Sequence, residues 1–280
     1  MNEVKSGFTL LEVIFFLVVS SAIMAGVIAG TRTSVFKERY TDAVNTFAET
    51  IRGIYSSVTD VRNSSDLLDK PGRSNYAIYG KLVVIDGSAE IRVYSVVGKL
   101  SDPNVSLSDG SSALSAINAL GVNIVKEEKA NPSKTYYRFY DEESYIIPWD
   151  ATIEKPNGEY EKGLLLIVMS PISGIVNSYY ADGSSPGSYT RRVIEATTAN
   201  KDTMDNFKKA LASGFSDGSG RETLISFCID STDNSFNFRR NVRVLVGAMN
   251  PSGVDIYSIA DSGNQCLGNA SVAGNRPGER

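Results

Sequence analysis

The chain has 280 residues, of which 42% are hydrophobic and 21% charged, so it can bury a substantial core and is neither a disordered polymer nor a polytopic membrane protein. Lys and Arg number 28 against 32 Asp and Glu, and that net charge of −4 gives no support to polyanion binding by the molecule as a whole. There is no histidine, which excludes imidazole-activated nucleophiles and the usual His-containing metal sites, and two cysteines are too few for a structural zinc site and enough for one disulfide.

Residues 1–7, Met1-Asn2-Glu3-Val4-Lys5-Ser6-Gly7, are a short polar leader. An apolar run follows from Phe8 to Gly30, broken by a single charge, Glu12. As a helix its 23 residues rise about 34 Å, enough to cross a hydrocarbon core of about 30 Å. A secretory signal cut near Ser20-Ser21-Ala22, an uncleaved signal anchor and an assembly helix all fit an apolar run of this length. The carboxylate near its start is explained by neither of the first two. An ionisable group at membrane depth is expensive and marks function by default.

The helical pattern does not stop at residue 30. Phe36, Tyr40, Ala43, Val44, Phe47, Ile51, Ile54, Val58 and Val61 recur in steps of three and four, and no proline interrupts residues 8–62. The spacing predicts one long helix. Its first part, 8–30, is apolar all round, and its second part, 31–62, is amphipathic and fit to carry a globular domain on one face.

Beyond residue 62 the chain alternates as strands do. Tyr76–Ile85 and Glu90–Val97 flank the turn signal Asp86-Gly87-Ser88-Ala89. Val122–Val125, Thr135–Tyr140, Leu164–Met169 and Thr223–Ile229 are further strands. Asn241–Met249 and Val254–Ile259 read as a last hairpin across Asn250-Pro251-Ser252-Gly253. Short helices are expected at Ser112–Leu120 and Asp202–Ala212, and loops at Asp109-Gly110, Asp182-Gly183 and Asp217-Gly218. The tyrosine pairs Tyr136-Tyr137 and Tyr179-Tyr180 should each put one ring toward a core. Residues 63–266 thus form a β-rich head with insertions between about 100 and 222, and 267–280 read as a loose tail. The fold class is α+β: a long N-terminal helix, transmembrane and then amphipathic, packed on an antiparallel sheet.

At Gly7-Phe8-Thr9-Leu10-Leu11-Glu12 the sequence resembles the type IV pilin and pseudopilin superfamily. The resemblance covers roughly residues 1–60: a short leader with a basic residue, Gly before Phe, an apolar run, and Glu at the fifth position after the junction. It implies that a membrane prepilin peptidase cuts between Gly7 and Phe8 and methylates the new amine of Phe8. It implies that Glu12 contacts the N-terminal amine of a neighbouring subunit during assembly. A carboxylate buried among helices needs such a partner. Many pilins carry a proline inside the apolar segment; here Ala29 stands near that place between Gly26 and Gly30.

The implied protein is a structural subunit, by its long head a minor one, of a type IV pilus or a type II secretion-like pseudopilus. The strand-rich head with its terminal hairpin is more like H-type pseudopilins and related minor pilins than like bulk subunits. Its partners are other pilin or pseudopilin subunits, the peptidase, and the inner-membrane assembly machinery. The chain would sit in the cytoplasmic membrane with its head outside, then in a surface or periplasmic filament. A tip subunit engaging DNA or a surface ligand is the alternative, and an unrelated membrane-anchored surface protein is a third class.

In an exported head Cys228 and Cys266 are expected to pair, as one C-terminal disulfide does in many pilins. Asp230-Ser231-Thr232-Asp233-Asn234 offers oxygen ligands for calcium, but its spacing is not that of an EF-hand and a polar turn explains it equally, so no metal site is assigned. Arg239, Arg240 and Arg243, with Lys208 and Lys209, are either a basic patch for DNA or a solvated face. No catalytic or cofactor-binding residue stands out, and the expectation is that the chain is not an enzyme.

Overall fold

The computed structural model describes residues 9–59, 77–98, 125–131, 134–139, 143–155, 159–169, 176–199, 209, 223–230, 239–246, 254–257 and 270–271. One helix, α1 (Leu10–Thr59), opens the chain. It spans both halves of the predicted helix without a break, a rise of about 75 Å. From Leu10 to Val35 its large apolar side chains are exposed. From Tyr40 onward one face disappears into the head: Tyr40, Ala43, Val44, Phe47, Ala48, Ile51, Ile54, Tyr55 and Val58 are all buried. The stripe read from spacing is the stripe the head covers, with Phe36 half-buried at its lower end. Val61 lies outside the described residues.

The first sheet has the order β5-β2-β1-β7-β8 and is antiparallel throughout. Its strands are β1 (Ala77–Ile85), β2 (Glu90–Gly98), β5 (Glu143–Ile146), β7 (Gly163–Met169) and β8 (Val176–Asp182). The β1–β2 hairpin turns where Asp86-Gly87 predicts it. Gly87 takes a φ of 88°, which a side chain resists. Asp86 accepts from the Ser88 N–H at 3.0 Å and pairs with Arg92. Burial works against the Asp86 charge, but the Ser88 and Arg92 contacts hold its carboxyl below the usual carboxylate range. Gly80 sits at a shift of register in β1, where a Cβ would lie 2.0 Å from the Ile167 carbonyl oxygen, so close packing of β1 on β7 requires glycine there.

A second sheet, β11-β10-β9-β12, adds β6 (Thr152–Glu154) on β9. It contains β9 (Thr223–Asp230), β10 (Arg239–Val246), β11 (Val254–Tyr257) and β12 (Ala270–Ser271). The antiparallel β10–β11 pairing is the expected last hairpin. Within the range expected to be a tail, Ala270 and Ser271 pair with Leu224 and Thr223. A separate hairpin joins β3 (Val125–Asn131) and β4 (Lys134–Phe139); Tyr136 and Tyr137 stand on it opposite Glu128 and Glu127.

Both sheets meet on α1. Val83, Ile85, Ile91, Val93, Leu165 and Ile167 from the first sheet and Ile225, Phe227, Ile229 and Val242 from the second share one core with the helix stripe. Phe227 stands edge-on to Phe47 of α1 at 5.7 Å and to Tyr180 of β8 at 5.9 Å, so three elements close on one ring. The Tyr40 hydroxyl donates to the Ile229 carbonyl at 2.6 Å.

A second helix, α2 (Tyr189–Ala199), covers the opposite face of β7 and β8 with Val193 and Ile194. This layer corrects the expectation for Tyr179-Tyr180. Both rings are 5% exposed, because the strand is covered on both sides. The expected helix at Ser112–Leu120, and that at Asp202–Ala212 apart from Lys209, lie outside the described residues, as do the expected loops at Asp109-Gly110 and Asp217-Gly218.

Candidate assembly surface

Gly7 and Phe8 lie outside the described residues, and the structure begins at Thr9. Glu12 stands in the first turn of α1. Its Oε2 accepts from the Thr9 backbone N–H and from the Thr9 hydroxyl, both at 3.2 Å. The Glu12 N–H donates to Thr9 Oγ1 at 3.3 Å. This reciprocal pair is a capping box, in which two orphan N–H groups at a helix start are satisfied by the side chains three residues apart. The Thr-x-x-Glu spacing that signals it is plain in the sequence, and sequence reasoning passed over it by treating Glu12 only as an intramembrane charge. Within one chain, then, Glu12 already has partners, and its carboxylate complements the positive end of the helix dipole.

The segment above it is built to be covered by something other than this chain's head. None of its most apolar 18-residue window is buried. Leu10, Leu11, Phe15, Phe16, Ile23 and Met24 are among its exposed side chains. Two hydroxyls turn inward on the helix itself: Ser21 donates to the Val18 carbonyl at 2.9 Å, and Thr31 to the Val27 carbonyl at 2.9 Å. Hydroxyls satisfied within their own helix leave a surface compatible with lipid. The chain therefore carries one N-terminal helix long and apolar enough to span a membrane.

Where α1 enters the head, the loop after β5 returns to it. Trp149 donates its indole N–H to Asp42 Oδ2 at 2.9 Å, and the Arg39 guanidinium lies 4.5 Å from the ring centroid. Nothing in the sequence singled out Trp149.

The head candidates are scattered. Cys228 is fully buried on β9, and Cys266 lies outside the described residues. Asp230 is buried at the end of β9, while Ser231–Asn234 lie outside the described residues. Among the described residues no group of three or more His, Cys, Asp or Glu side chains is placed to hold a metal. Arg239, Arg240 and Arg243 lie on β10, opposite Asp230, Ile229 and Ser226. Lys208 lies outside the described residues; Lys209 stands beside α2, with its ammonium 5.7 Å from the Tyr189 ring, which Arg192 also approaches at 5.5 Å.

One polar cluster that sequence reasoning did not anticipate lies at the end of β8. The Tyr180 hydroxyl donates to Glu161 Oε1 at 2.6 Å in a buried setting. Burial pushes the Glu161 carboxyl above its usual range; the Tyr180 hydrogen bond and the nearby Lys155 charge offset this in part. Lys155 forms an ion pair with Asp182 at 3.2 Å and touches Ser184, whose backbone N–H also binds Asp182 at 2.8 Å. A serine and a lysine thus meet, but both are tied to the same carboxylate. The geometry is that of a salt-bridged Asx turn leading into α2.

Comparison of the chain with protein-family models, with curated proteins and with solved structures gives no match. The chain's own residues give a membrane-length N-terminal helix that continues unbroken into the core of an α+β head.

Proposed function

We propose that this chain is a structural subunit of a type IV pilus or a type II secretion-like pseudopilus, processed by a prepilin peptidase and assembled through its N-terminal helix. The observation that carries the proposal is the division of α1. Its surface is exposed and apolar at one end, while at the other it is inseparable from the core. A cleaved signal peptide has no reason to continue as the core helix of the mature protein. A filament subunit does: one rigid rod lets lipid hold the monomer, and neighbouring rods replace the lipid once it is assembled. The leader ending at Gly7, with Phe8 and Glu12 beyond it, supports the same reading.

In the membrane-held monomer Glu12 caps its own helix through Thr9. In the filament the same carboxylate exchanges those contacts for the methylated amine of Phe8 from the next subunit, a charge partner that arrives with every copy added. The head faces away from the cytoplasm, where Cys228, which is buried and not a free thiol, pairs with Cys266. The chemistry required of the chain is association, with other subunits, the peptidase and the inner-membrane assembly machinery as partners.

The test is the mature N-terminus. Mass spectrometry of protein extracted from membranes should find a chain starting at N-methylated Phe8. An intact Met1, or a start at Ala22 or Ile23, refutes the proposal.

A further inference from the structure

Between β5 and β6 the chain crosses from one sheet to the other beside α1. β5 ends at Ile146, paired with β2 of the first sheet, and β6 begins at Thr152, paired with β9 of the second. Both ends of the crossing are anchored. Ile147 and Ala151 are buried in the core that α1 shares with the sheets, and the Ile147 N–H donates to the Ala89 carbonyl at 2.8 Å. Between these anchors Trp149 and Asp150 have φ values of 65° and 53°, the two non-glycine residues with positive φ among those described. Side chains resist this left-handed backbone, and it persists only where the surroundings hold it.

What the crossing delivers is one indole against one turn of α1. Its N–H donates to Asp42 Oδ2 at 2.9 Å, and its ring centroid lies 4.5 Å from the Arg39 guanidinium. Residues three apart are neighbours on a helix only while the turn is wound, so one side chain bound to both opposes unwinding there. The same turn is held by a second contact. Tyr40 is buried and donates to the Ile229 carbonyl, and Ile229 pairs with Ile153, two residues beyond Ala151. Toward the N-terminus the grip of the head ends quickly. Phe36 is half-buried, and from Leu10 to Val35 the large apolar side chains are exposed, on a rod about 39 Å long. Gly26 and Gly30 lie in that rod, and after proline glycine is the residue least suited to a helix interior.

We propose that Ile147–Ala151 is a strap whose tryptophan staples the 39–42 turn of α1, and so sets the boundary between a rod that can bend or unwind and a helix that cannot. Bending of the rod levers on the turn where α1 enters the head. The next positions along the helix are Ala43, Val44 and Phe47, all fully buried, and Phe47 meets Phe227 of the second sheet. A disturbance that passed the staple would therefore enter the core. The contacts suit the place. Arg39 and Asp42 are exposed on the helix, where apolar burial no longer holds it, and a hydrogen bond to a carboxylate with a cation over a ring takes over. Tryptophan supplies both parts, a ring face for the cation and a donor for the carboxylate. A rod covered by lipid and a rod covered by neighbouring helices load the strap alike, so this role holds with or without a filament.

Hydrogen–deuterium exchange of the full chain in detergent micelles reads this boundary. Opening of the 39–42 turn frees the amides bonded to its carbonyls, up to residue 46. Trp149→Ala should speed exchange in peptides covering residues 39–46 by about tenfold or more, and leave those covering 51–58 within about twofold of the native chain. Arg39→Ala combined with Asp42→Ala should give the same pattern with the strap itself unaltered. Both positions are exposed, and alanine is a better helix former than either residue, so faster exchange there comes neither from misfolding nor from lost helix propensity. Trp149→Phe, which keeps a ring over Arg39 and loses the donor to Asp42, should fall between. Unchanged exchange at 39–46 in Trp149→Ala, or in the double variant, refutes the strap. Equal acceleration across 39–58 refutes it too, because the turn would then be one more part of a core that opens as a whole.

Discussion

Phe47→Ala puts the architecture to its most direct test. Phe47 is fully buried in α1 and meets Phe227 of the second sheet edge-on at 5.7 Å. Emptying such a site costs about 3–5 kcal/mol, as lost transfer energy plus a cavity that the surrounding strands only partly close. Against a net stability of about 5–15 kcal/mol that is a large fraction. The assay is urea unfolding of a chain that begins at Ser34, which lacks the lipid-facing segment and keeps every buried position of the stripe. With a slope of about 2–3 kcal/mol/M the midpoint should fall by about 1–2 M. Asn45→Ala, on the exposed side of the same helix, should change stability by no more than about 0.5 kcal/mol. A double-mutant cycle with Phe227→Ala should return about 0.5–1.5 kcal/mol of coupling, the part belonging to the ring pair. If Phe47→Ala leaves the midpoint unchanged while Phe227→Ala lowers it, the helix is a stalk lying outside the head's core, and the reasoning fails.

Other consequences follow from the same contacts. A chain beginning at residue 62 should aggregate, because it exposes Val83, Ile85, Leu165, Ile167 and Phe227 together; equal solubility and equal urea resistance would refute the shared core. Glu161→Gln keeps an acceptor for the Tyr180 hydroxyl and removes a buried charge. The native carboxyl is raised by burial, so its stabilising contribution is full below the unfolded value near 4.5 and is lost as pH rises through the folded one. Melting profiles across that window should therefore be flatter in the variant, while Asp86 and Asp182, both held low, keep the opposite slope at more acid pH. Glu12→Val should leave membrane insertion intact and impair incorporation into filaments, measured as the share of the chain in sheared filament fractions; normal incorporation would remove the assembly role.

What could be read from the residues was what has a long period. The α1 stripe runs over several turns, so its buried face could be named position by position, and the β1–β2 and β10–β11 hairpins carry turn residues between alternating runs. Elements that break the usual patterns were missed. Val176–Asp182 does not alternate, since the second sheet packs on it through β10 and Phe227 while α2 packs on it as well. α2 itself, Tyr189–Ala199, is rich in threonine and arginine, and among its described side chains Thr190, Val193 and Ile194 are the buried ones, too few positions to declare a face. β5 and β6 have four and three residues, below the length at which a period can be recognised. At the candidate site, the Gly7-Phe8 junction lies outside the described residues, and the Thr9-x-x-Glu12 cap is a local spacing that the sequence shows. The Trp149 contact was not legible, because it joins residues 107 apart and depends on a backbone conformation that sequence does not favour.

The capping box changes what Glu12 has to do. Were its only partner a neighbour's amine, the carboxylate would enter the membrane alone and the monomer would bear that cost until assembly. Bonded to Thr9 N–H and Oγ1, it already complements a helix start, where the dipole favours negative charge and where the membrane boundary is near. On the filament reading proposed above, assembly would be an exchange of hydrogen bonds rather than the rescue of a bare charge. Such an exchange would be reversible, as the proposed passage between membrane and filament requires. The same logic runs through the rest of α1. Ser21 and Thr31 bond to their own helix, and Asp42 and Arg39 are held by Trp149, so these polar groups on the rod have partners within the chain. What the rod exposes from Leu10 to Val35 is mostly apolar area, and apolar area can be covered by lipid or by another rod without rearranging the hydrogen bonds of Ser21 and Thr31.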